Sequence, residues 1–342
     1  MPEEASALAQ YTAVLLPAIE EGLHAAIAAH LPEAEGELLH MLAYHLGWEG
    51  EGAGKDAQGK RIRPLLLLLS AAAVGGDWRA CLPAAAAVEL VHNFSLIHDD
   101  IQDHSRLRRG RPTLWVRWGV PQAINTGDLM FTLAHFSMFD LLPSTSPERI
   151  LAAEQTLLRA CVHLTRGQHL DLAFEQREAV TLEEYWDMIA GKTAALLAAC
   201  AEIGALLAGC DADLRGAFRT FGHNLGLAFQ VQDDLLGIWG DAALMGKSSQ
   251  SDLVAGKKSL PVVYALNRAG EFARRWQSGR VRSEDVSALA QLLKAEGAYD
   301  YAQKAARRLT RSSLQALDSL PSPSPAADAL RDLASRLLSR QT

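Results

Sequence analysis

Apolar residues recur every three or four positions along most of the chain, which is the spacing of one face of an α-helix. Ala and Leu dominate these stretches, and the alternating Val, Ile and Thr runs that indicate strands are nearly absent. The pattern predicts helices over residues 5–30, 36–47, 60–75, 80–105, 121–141, 148–176, 181–208, 212–239, 257–269, 283–297, 298–319 and 325–340.

The ends of several predicted helices carry recognisable signals. Thr181 with Glu184 three residues later forms a capping box at a helix start. Gly75-Gly76 and Gly209 are natural stops, and the Gly-rich segment 49–59 reads as a loop. No internal repeat is present, and no linker is long enough to separate two domains. The sequence therefore predicts an all-α fold, a single domain over residues 1–342 built as a large bundle of long helices.

Composition excludes several classes of protein. With 49% apolar and 21% charged residues, the 342-residue chain is neither disordered nor fibrous. A net charge of −7 argues against non-specific nucleic-acid binding. Four separated cysteines without a CxxC pair are typical of free thiols in a reducing compartment. The acidic start lacks a signal peptide, and the most apolar run, 65–76, is shorter than the roughly 20 residues of a membrane span. We therefore expect a cytoplasmic protein without an integral membrane segment.

One acidic motif, residues 98–103 (HDDIQD), interrupts an otherwise apolar helical stretch. Asp99 and Asp103 lie four positions apart, so a helix places them on one face about 6 Å apart. Because neighbouring carboxylates repel, a bound divalent cation is one way to offset the repulsion, and Mg²⁺ bridges carboxylates to phosphate oxygens. The alternative is a solvated acidic face. The apolar residues that precede the motif favour a position at the rim of a cavity.

Basic residues follow this motif directly. Four arginines occupy six positions, at 106, 108, 109 and 111, and the planar guanidinium group matches phosphate oxygens. The combination indicates a binder of metal and diphosphate, whereas the alternative is a set of surface ion pairs. Another polar cluster, Gln230 to Asp234, lies in a second apolar window.

Taken together, these blocks resemble the trans-isoprenyl diphosphate synthases (polyprenyl synthetases), most of all the geranylgeranyl diphosphate synthases. The resemblance covers about residues 55–265. Its matching segments, in the order of the family, are 59–64 (GKRIRP), 92–103, 108–113 (RRGRPT), 127–128, 167–172 (GQHLDL), 192–193 (KT), 229–234 (FQVQDD) and 246–261.

The resemblance implies an isoprenoid-synthase type of helical bundle with a deep central cavity, usually a homodimer. It also implies head-to-tail 1'-4 condensation of an allylic diphosphate with isopentenyl diphosphate. Three carboxylates would hold Mg²⁺, with three ions per active site and Mn²⁺ as a substitute: Asp99, Asp103 and Asp233. The catalytic residues by resemblance are Arg108, Lys192, Thr193, Gln230 and Lys257. The substrate-binding residues include these five together with Lys60, Arg63, His92, Arg109 and Lys247.

The resemblance assigns different residues of this set to the two substrates. Lys60, Arg63, His92 and Arg109 would hold isopentenyl diphosphate. Arg108, Lys192 and Lys257 would assist the departing diphosphate, while Thr193 and Gln230 would place oxygens near the allyl cation. No dedicated protein base is implied, because the released diphosphate can take the proton.

The second acidic motif departs from the common DDxxD form, since Gly237 stands where the third aspartate is usual. Some family members similar to archaeal geranylgeranyl diphosphate synthases carry this DDxxG form. It leaves Asp233 as the main ligand, aided by Asp234 and Asp252 through water.

Phe94 and Ser95, five and four residues before Asp99, are the predicted floor of the product cavity. A helix places Phe94 about 7.5 Å from Asp99 along its axis. An aromatic residue there resembles C20 synthases of archaeal type, which predicts geranylgeranyl diphosphate as the main product. Farnesyl diphosphate and products of C25 or longer are the alternatives, and Phe131 or Phe136 could supply the floor instead.

Two further activities compete with chain elongation. A class I terpene cyclase shares the fold and an aspartate-rich motif, but no Asn-x-x-x-Ser-x-x-x-Glu second metal motif is present. A non-catalytic subunit of a heteromeric synthase usually loses the first aspartate motif, which this chain keeps.

Overall fold

The computed structural model describes residues 6–31, 36–240, 252–279, 281–320 and 322–338. These residues are almost entirely helical, and the strands among them form one short antiparallel hairpin, β1 (Leu107–Arg108) and β2 (Arg111–Pro112). The predicted all-α class is confirmed.

The chain divides into two compact units. The first unit comprises Met1–Leu157, Cys200–Arg215 and Leu320–Leu330, and the second comprises Leu158–Ala199, Gly216–Ser319 and Arg331–Thr342. The helices that lie wholly in the first unit are α1 (Ala7–His30), α2 (Gly36–His45), α3 (Lys55–Gln58), α4 (Ile62–Ala73), α5 (Leu82–Gln102), α6 (Leu114–Trp118) and α7 (Val120–Phe139). Four helices have residues in both units: α8 (Pro147–Glu175), α10 (Ala195–Leu207), α11 (Ala212–Trp239) and α16 (Pro325–Leu338).

In the first unit, α5 packs along α7. The first half of α5 is rich in small buried residues, such as Ala84 and Ala87, which allow neighbouring helices to approach closely. Near its other end, a Cβ on Gly127 of α7 would lie 2.4 Å from His98 Nε2, so only glycine fits there. This packing holds the acidic end of α5 at a defined place.

The helices that lie wholly in the second unit are α9 (Leu182–Ile189), α12 (Leu260–Arg268), α13 (Glu271–Gln277), α14 (Val286–Ala295) and α15 (Ala298–Ala316). Its core packs Phe174, Tyr185, Val231 and Leu235 against α12 and α15. The predicted capping box starts α9, since the Glu184 N–H donates to Thr181 Oγ1 at 3.1 Å and the Thr181 N–H donates to Glu184 Oε2 at 2.8 Å. Trp186 packs on the same core.

The predicted helix 181–208 contains a π-helical turn, Ala190–Ala194, between α9 and α10. The predicted loop 49–59 contains α3, while the hairpin, α6 and α13 were not predicted. These elements span two to seven residues, which is too short for a periodic apolar pattern to develop.

Three helical stretches of the described chain are long and apolar enough to cross a membrane: Ala7–His30, Trp78–Gln102 and Leu182–Leu207. Length and composition alone support this assignment. Most of the second and third stretches, 61% and 78% of the most apolar window, is buried inside the fold, against 28% of the first. The expected absence of a membrane segment stays a prediction.

Candidate active site

The first acidic motif forms the last turn of α5. Its middle carboxylate, Asp100, is buried and accepts hydrogen bonds from Arg108 Nε at 2.9 Å, while Arg108 Nη2 lies 2.8 Å from Asp100 Oδ1 in an ion pair. Burial raises the pKa of Asp100, and the hydrogen bonds from Arg108 oppose the rise. Asp99 is half-buried, and Asp103, the residue that caps the helix, is exposed. The motif thus divides into one aspartate that anchors an arginine and two that lie nearer the surface.

Arg109 occupies the turn of the β1–β2 hairpin. Arg109 and Gly110 have φ values of 51° and 76°, as a two-residue type I′ turn requires. A left-handed arginine costs about 1–2 kcal/mol. The strain is offset because Arg109 Nη1 donates to the carbonyl oxygens of Ala57 and Gln58 at 2.8 and 2.9 Å. A Cβ on Gly59 would lie 2.6 Å from Arg109 Cζ, so the glycine of the basic motif makes room for this guanidinium.

A small, partly open cavity lies beside the hairpin in the first unit. It is lined by Tyr44, His45, Ala57, Asp100, Arg108, Arg109, Arg111, Pro112, Thr113 and Leu114. Burial lowers the pKa of His45 well below its ordinary value, and Arg108 and Arg109 lower it further. Its Nε2 is buried without a hydrogen-bond partner among the described residues. A neutral imidazole among arginines, with an unpaired ring nitrogen, suits an anionic ligand.

Predicted residues of the basic set share this environment. Burial lowers the pKa of His92 well below its ordinary value, and Arg63 and Arg109 lower it further. Burial also lowers the pKa of Arg63, whose Nε finds no partner in the described part of the chain. Burial and the neighbouring arginines lower the pKa of Arg109 to about 10. A bound anion would offset the positive charge that is buried at Arg63 and Arg109.

Arg61 differs from Arg63. Its Nε donates to Glu20 Oε1 at 2.6 Å, and its Nη1 donates to the buried Glu89 Oε1 at 2.9 Å. The Arg61 side chain is 1% exposed. Arg61 therefore holds α1, α4 and α5 together, while Lys60 beside it is exposed.

Arg111 stabilises the loop between α2 and α3. It donates hydrogen bonds to three backbone carbonyls, those of Tyr44, Glu49 and Glu51. The Arg111 guanidinium also lies 4.0 Å from the centre of the Tyr44 ring, a cation–π contact. The fourth arginine of the motif thus shapes one wall of the cavity.

In the second unit, Lys192 and Thr193 lie in the π-helical turn between α9 and α10. Lys192 Nζ forms an ion pair with Asp171 of α8. A Cβ on Gly167 would lie 2.1 Å from the Lys192 backbone N, so α8 and the π turn approach closely through glycine. Such turns are common at functional sites because they displace side chains from regular helical positions.

Gln230 and Asp234 of α11 form a hydrogen-bonded chain with Thr193. Thr193 Oγ1 lies 2.7 Å from Gln230 Oε1, and Gln230 Nε2 lies 3.0 Å from Asp234 Oδ1. Asp234 Oδ2 accepts from Tyr185 OH at 2.6 Å and from the Leu260 N–H at 2.7 Å. Burial raises the pKa of Asp234 to about 7, although these hydrogen bonds oppose the rise. Asp234 is a buried structural acceptor.

Asp233 beside it is half-buried. The missing third aspartate of this motif has a counterpart in space, because a Cβ on Gly237 would lie 2.0 Å from Asp252 Oδ2. The Asp252 N–H also donates to the Gly237 carbonyl at 3.2 Å. Lys257 Nζ lies 3.9 Å from Asp252 Oδ1, while Lys247 falls outside the described residues.

Phe94 belongs to an aromatic row in the first unit. Its ring centre lies 4.9 Å from that of Phe131, which lies 4.5 Å from His135. His135 Nδ1 pairs with Glu154 Oε1 at 2.6 Å. Ser95 Oγ donates to the His92 carbonyl. Of the two alternative floor residues, Phe131 touches Phe94, whereas Phe136 is 48% exposed and stacks on His30.

No group of three or more His, Cys, Asp or Glu side chains suited to a metal occurs among the described residues. The carboxylates of Asp99, Asp103 and Asp233 are nevertheless hard oxygen donors near the surface. Mg²⁺ usually binds one or two carboxylates, several waters and substrate phosphates. The donor chemistry therefore fits Mg²⁺ delivered with a diphosphate, although no protein cage is preformed in the described residues.

Sequence reasoning overlooked His45, Asp171 and Tyr185. Asp171 was visible within the segment 167–172, but its pairing with Lys192 joins positions 21 residues apart. His45 and Tyr185 carry no local signal, because their roles depend on residues distant in sequence.

Comparisons with known proteins complete the description. Residues 54–295 match the sequence model of the family described as polyprenyl synthetase. The (2E,6E)-farnesyl diphosphate synthase of Mycobacterium bovis is 41% identical over 312 residues, 88% of this chain and 86% of the relative. Geranylgeranyl diphosphate synthase of Mycobacterium tuberculosis is 41% identical over 295 residues, 84% and 83% of the two chains. The crystal structure of geranylgeranyl pyrophosphate synthetase from Pyrococcus horikoshii has a TM-score of 0.88 at 35% identity and covers 98% of both chains.

Proposed function

Since the chain belongs to the polyprenyl synthetase family, we propose that it makes geranylgeranyl diphosphate from isopentenyl diphosphate and an allylic diphosphate. The predicted family and the predicted prenyltransferase class are confirmed. The observation that carries the substrate proposal is the cationic wall of the first unit, where Arg108 and Arg109 line the cavity beside the unpartnered Nε2 of His45.

Isopentenyl diphosphate binds, in this proposal, through Lys60, Arg63, His92 and Arg109. The pKa values of Arg63 and Arg109 are lowered, and a bound diphosphate would supply negative charge that favours their protonated forms. The arginines hold the phosphate oxygens through paired N–H donors, and neutral His92 donates one ring N–H.

The allylic diphosphate loses its leaving group when the C1–O bond breaks with both electrons on oxygen. Arg108, Lys192 and Lys257 neutralise charge that grows on the diphosphate, while Thr193 and Gln230 direct oxygens toward the allyl cation. Carbon 4 of isopentenyl diphosphate then bonds to carbon 1 of the cation. A proton leaves carbon 2 to the released diphosphate, so no protein base is needed.

Asp99, Asp103 and Asp233 would hold Mg²⁺, which on binding neutralises charge on the leaving diphosphate. Three ions per active site and replacement by Mn²⁺ follow from the family resemblance. Asp252, which lies beside Gly237, would supply a further carboxylate near the position of the missing third aspartate.

The product length rests on the paired rings of Phe94 and Phe131. Relatives of equal identity carry names of both C15 and C20 synthases, so the aromatic pair is the specific argument. The test incubates the purified protein with Mg²⁺, isopentenyl diphosphate and farnesyl diphosphate, and identifies dephosphorylated products by mass spectrometry. Geranylgeraniol is expected. Farnesol as the end product from a geranyl diphosphate primer, with no elongation of farnesyl diphosphate, would exclude the C20 assignment.

A second copy of the chain covers, in this proposal, the apolar side chains that α7 and α8 expose. Within the first unit they are Val120, Ile124, Phe136, Phe139 and Leu151. Light scattering after size exclusion should give twice the mass of one chain. The variant Phe136→Lys/Phe139→Lys should give the monomer mass, and a monomeric parent protein would refute the dimer.

A further inference from the structure

The hydrogen-bonded chain of the second unit has a direction as well as a geometry. It runs from Tyr185 OH and the Leu260 N–H to Asp234, then to Gln230 and Thr193, with donor–acceptor distances between 2.6 and 3.0 Å. The atom that carries each proton decides whether Thr193 and Gln230 present a hydrogen or an oxygen lone pair to a ligand.

The direction follows from Asp234. Asp234 Oδ2 accepts from Tyr185 OH and the Leu260 N–H, and Asp234 Oδ1 accepts from Gln230 Nε2. The amide oxygen of Gln230 then faces Thr193, whose hydroxyl donates its proton to that oxygen. A reversed network would place the Gln230 oxygen against Asp234 Oδ1, opposite to this arrangement.

Burial separates this carboxylate from any ligand. Asp234 is 6% exposed and Thr193 is 8% exposed, while Gln230 between them is half-buried. Asp234 is also enclosed by Tyr185 and the backbone of Leu260. It can therefore influence a substrate only through Gln230 and Thr193.

We propose that Asp234 is a positioning residue whose carboxylate fixes the polarity of Gln230 and Thr193, so that both present oxygen lone pairs to the allyl cation. The inference rests on the proposed function, which places Thr193 and Gln230 at the cation. Since the Thr193 proton is held by Gln230, only negative ends of dipoles remain to face the positive charge. Dipoles fixed in this way stabilise a developing charge without reorganising.

The variant Asp234→Asn tests the direction. The carbonyl of the new amide must face the Leu260 N–H, so its NH₂ group faces Gln230. Gln230 then turns its oxygen inward and its NH₂ toward Thr193, whose proton points outward. The contacts of Gln230 with residue 234 and with Thr193 survive with reversed polarity, while those of Tyr185 and Leu260 keep theirs. We expect an unchanged melting temperature, KM values within about twofold, and a fall in kcat of about 100-fold, as when one preorganised charge-stabilising group is lost.

The double variant Gln230→Glu/Asp234→Asn is the matched rescue. It keeps the total charge and nearly the same shape, but moves the carboxylate to position 230. That carboxylate accepts from both the asparagine and Thr193, which restores the original direction of the Thr193 hydroxyl. We expect kcat to recover at least tenfold over the single variant. Asp213→Asn, the same change at an exposed carboxylate of α11, is the control, and its kcat should stay within threefold of the parent protein.

A binding measurement separates polarity from packing. Calorimetry with Mg²⁺ and diphosphate at pH 8.5 compares an ammonium analogue of the allylic substrate with its uncharged carbon isostere. The parent protein should prefer the cation, and Asp234→Asn should reduce the ratio of the two Kd values at least tenfold.

Two results would overturn the inference: an unchanged kcat in Asp234→Asn, or equal impairment in the single and double variants. Failure of the proposed function is distinguishable, because the parent protein itself would then form no prenyl product.

Discussion

Arg61 and Arg63 stand two positions apart at the start of α4, but of the two only Arg61 forms direct ion pairs among the described residues, with Glu20 and Glu89. Arg61→Ala leaves Glu89 buried without its cation, so we expect a loss of about 3–5 kcal/mol in the free energy of unfolding. Arg63→Ala removes a cation that burial already disfavours, so stability should hold while the KM for isopentenyl diphosphate rises at least tenfold. Urea unfolding and steady-state kinetics on both variants test the contrast. Equal stability losses would contradict it.

The two outer aspartates of the first motif make a second comparison at this scale. Under the proposed function, Asp99→Ala or Asp103→Ala removes a metal ligand, so we expect a loss of several kcal/mol of transition-state stabilisation, or about 1000-fold in kcat. Glu21→Ala, which removes an exposed carboxylate of α1, is the control and should leave the rate unchanged. Turnover near that of the parent protein at saturating Mg²⁺ would exclude these carboxylates as ligands.

At the scale of the element, α11 offers two glycines in contrasting surroundings. Gly216→Ala meets only Arg219 Nη2 at 3.9 Å and should stabilise the protein by about 1 kcal/mol through helix propensity. Gly237→Ala places a methyl group 2.0 Å from Asp252 Oδ2, so we expect the melting temperature to fall instead. Differential scanning calorimetry of both variants and the parent protein measures the two changes in melting temperature. If Gly237→Ala melts higher than the parent protein, Asp252 does not occupy that space.

The aromatic pair between α5 and α7 gives a prediction about product length. Phe94→Ala should extend the product by one isoprene unit, and Phe94→Ala/Phe131→Ala by at least one more, because each ring removed opens space for a C5 unit. Phe136→Ala is the matched control and should leave the length unchanged, since that ring stacks on His30. Mass spectrometry of dephosphorylated products reads the outcome. An unchanged product from the double variant would place the floor elsewhere.

Long helices were predictable and short connecting elements were not. The periodic pattern predicted a helix at 212–239, where α11 spans Ala212–Trp239, because many buried positions repeat along it. The same pattern passed through Ala190–Ala194 without a sign of the π turn, since that turn depends on the close approach of Gly167 and Gly191. The Arg109-Gly110 turn escaped because its strain is offset by carbonyls of a distant loop.

Across the whole molecule, buried titratable groups predict how stability changes with pH. In the folded protein, burial and nearby arginines hold the pKa values of His45 and His92 well below 6.5. Below about pH 6.5 these histidines bind protons in the unfolded chain but not in the folded protein. The free energy of unfolding therefore falls as pH falls, with a limiting slope of about 1.4 kcal/mol per pH unit for each histidine. Asp234 opposes this trend, because its pKa is raised to about 7 and the folded state gains a proton as pH falls.

The measurement is urea unfolding at pH 6.5 and 5.5. His45→Gln should reduce the loss of stability between these two pH values by about 1 kcal/mol, because an unfolded histidine is already half protonated at pH 6.5. His104→Gln, a change at an exposed histidine, should leave the slope unaltered. Parallel slopes for the parent protein and His45→Gln would show that His45 takes up its proton in the folded state.

At this scale, the types of residue in the candidate site were predictable, but their separate roles were not. The sequence placed Asp99, Asp100 and Asp103 in one motif, yet only the fold shows that Asp100 binds Arg108. It also grouped Arg61 with Arg63, although one is neutralised and the other is not. Such distinctions depend on burial and on partners far along the chain, which no local pattern contains.

The hydrogen bonds from Arg111 to the segment that connects α2 and α3 have a consequence for sequence variation. Arg111 holds this loop by the carbonyl oxygens of Tyr44, Glu49 and Glu51, which every amino acid possesses. The identities at 49 and 51, both exposed, can therefore drift in evolution or be randomised in a library without loosening the loop. Its length cannot, because a single insertion would move a carbonyl out of reach of the guanidinium. We therefore expect positions 49 and 51 to tolerate substitution, whereas an insertion or deletion in this loop should destabilise it.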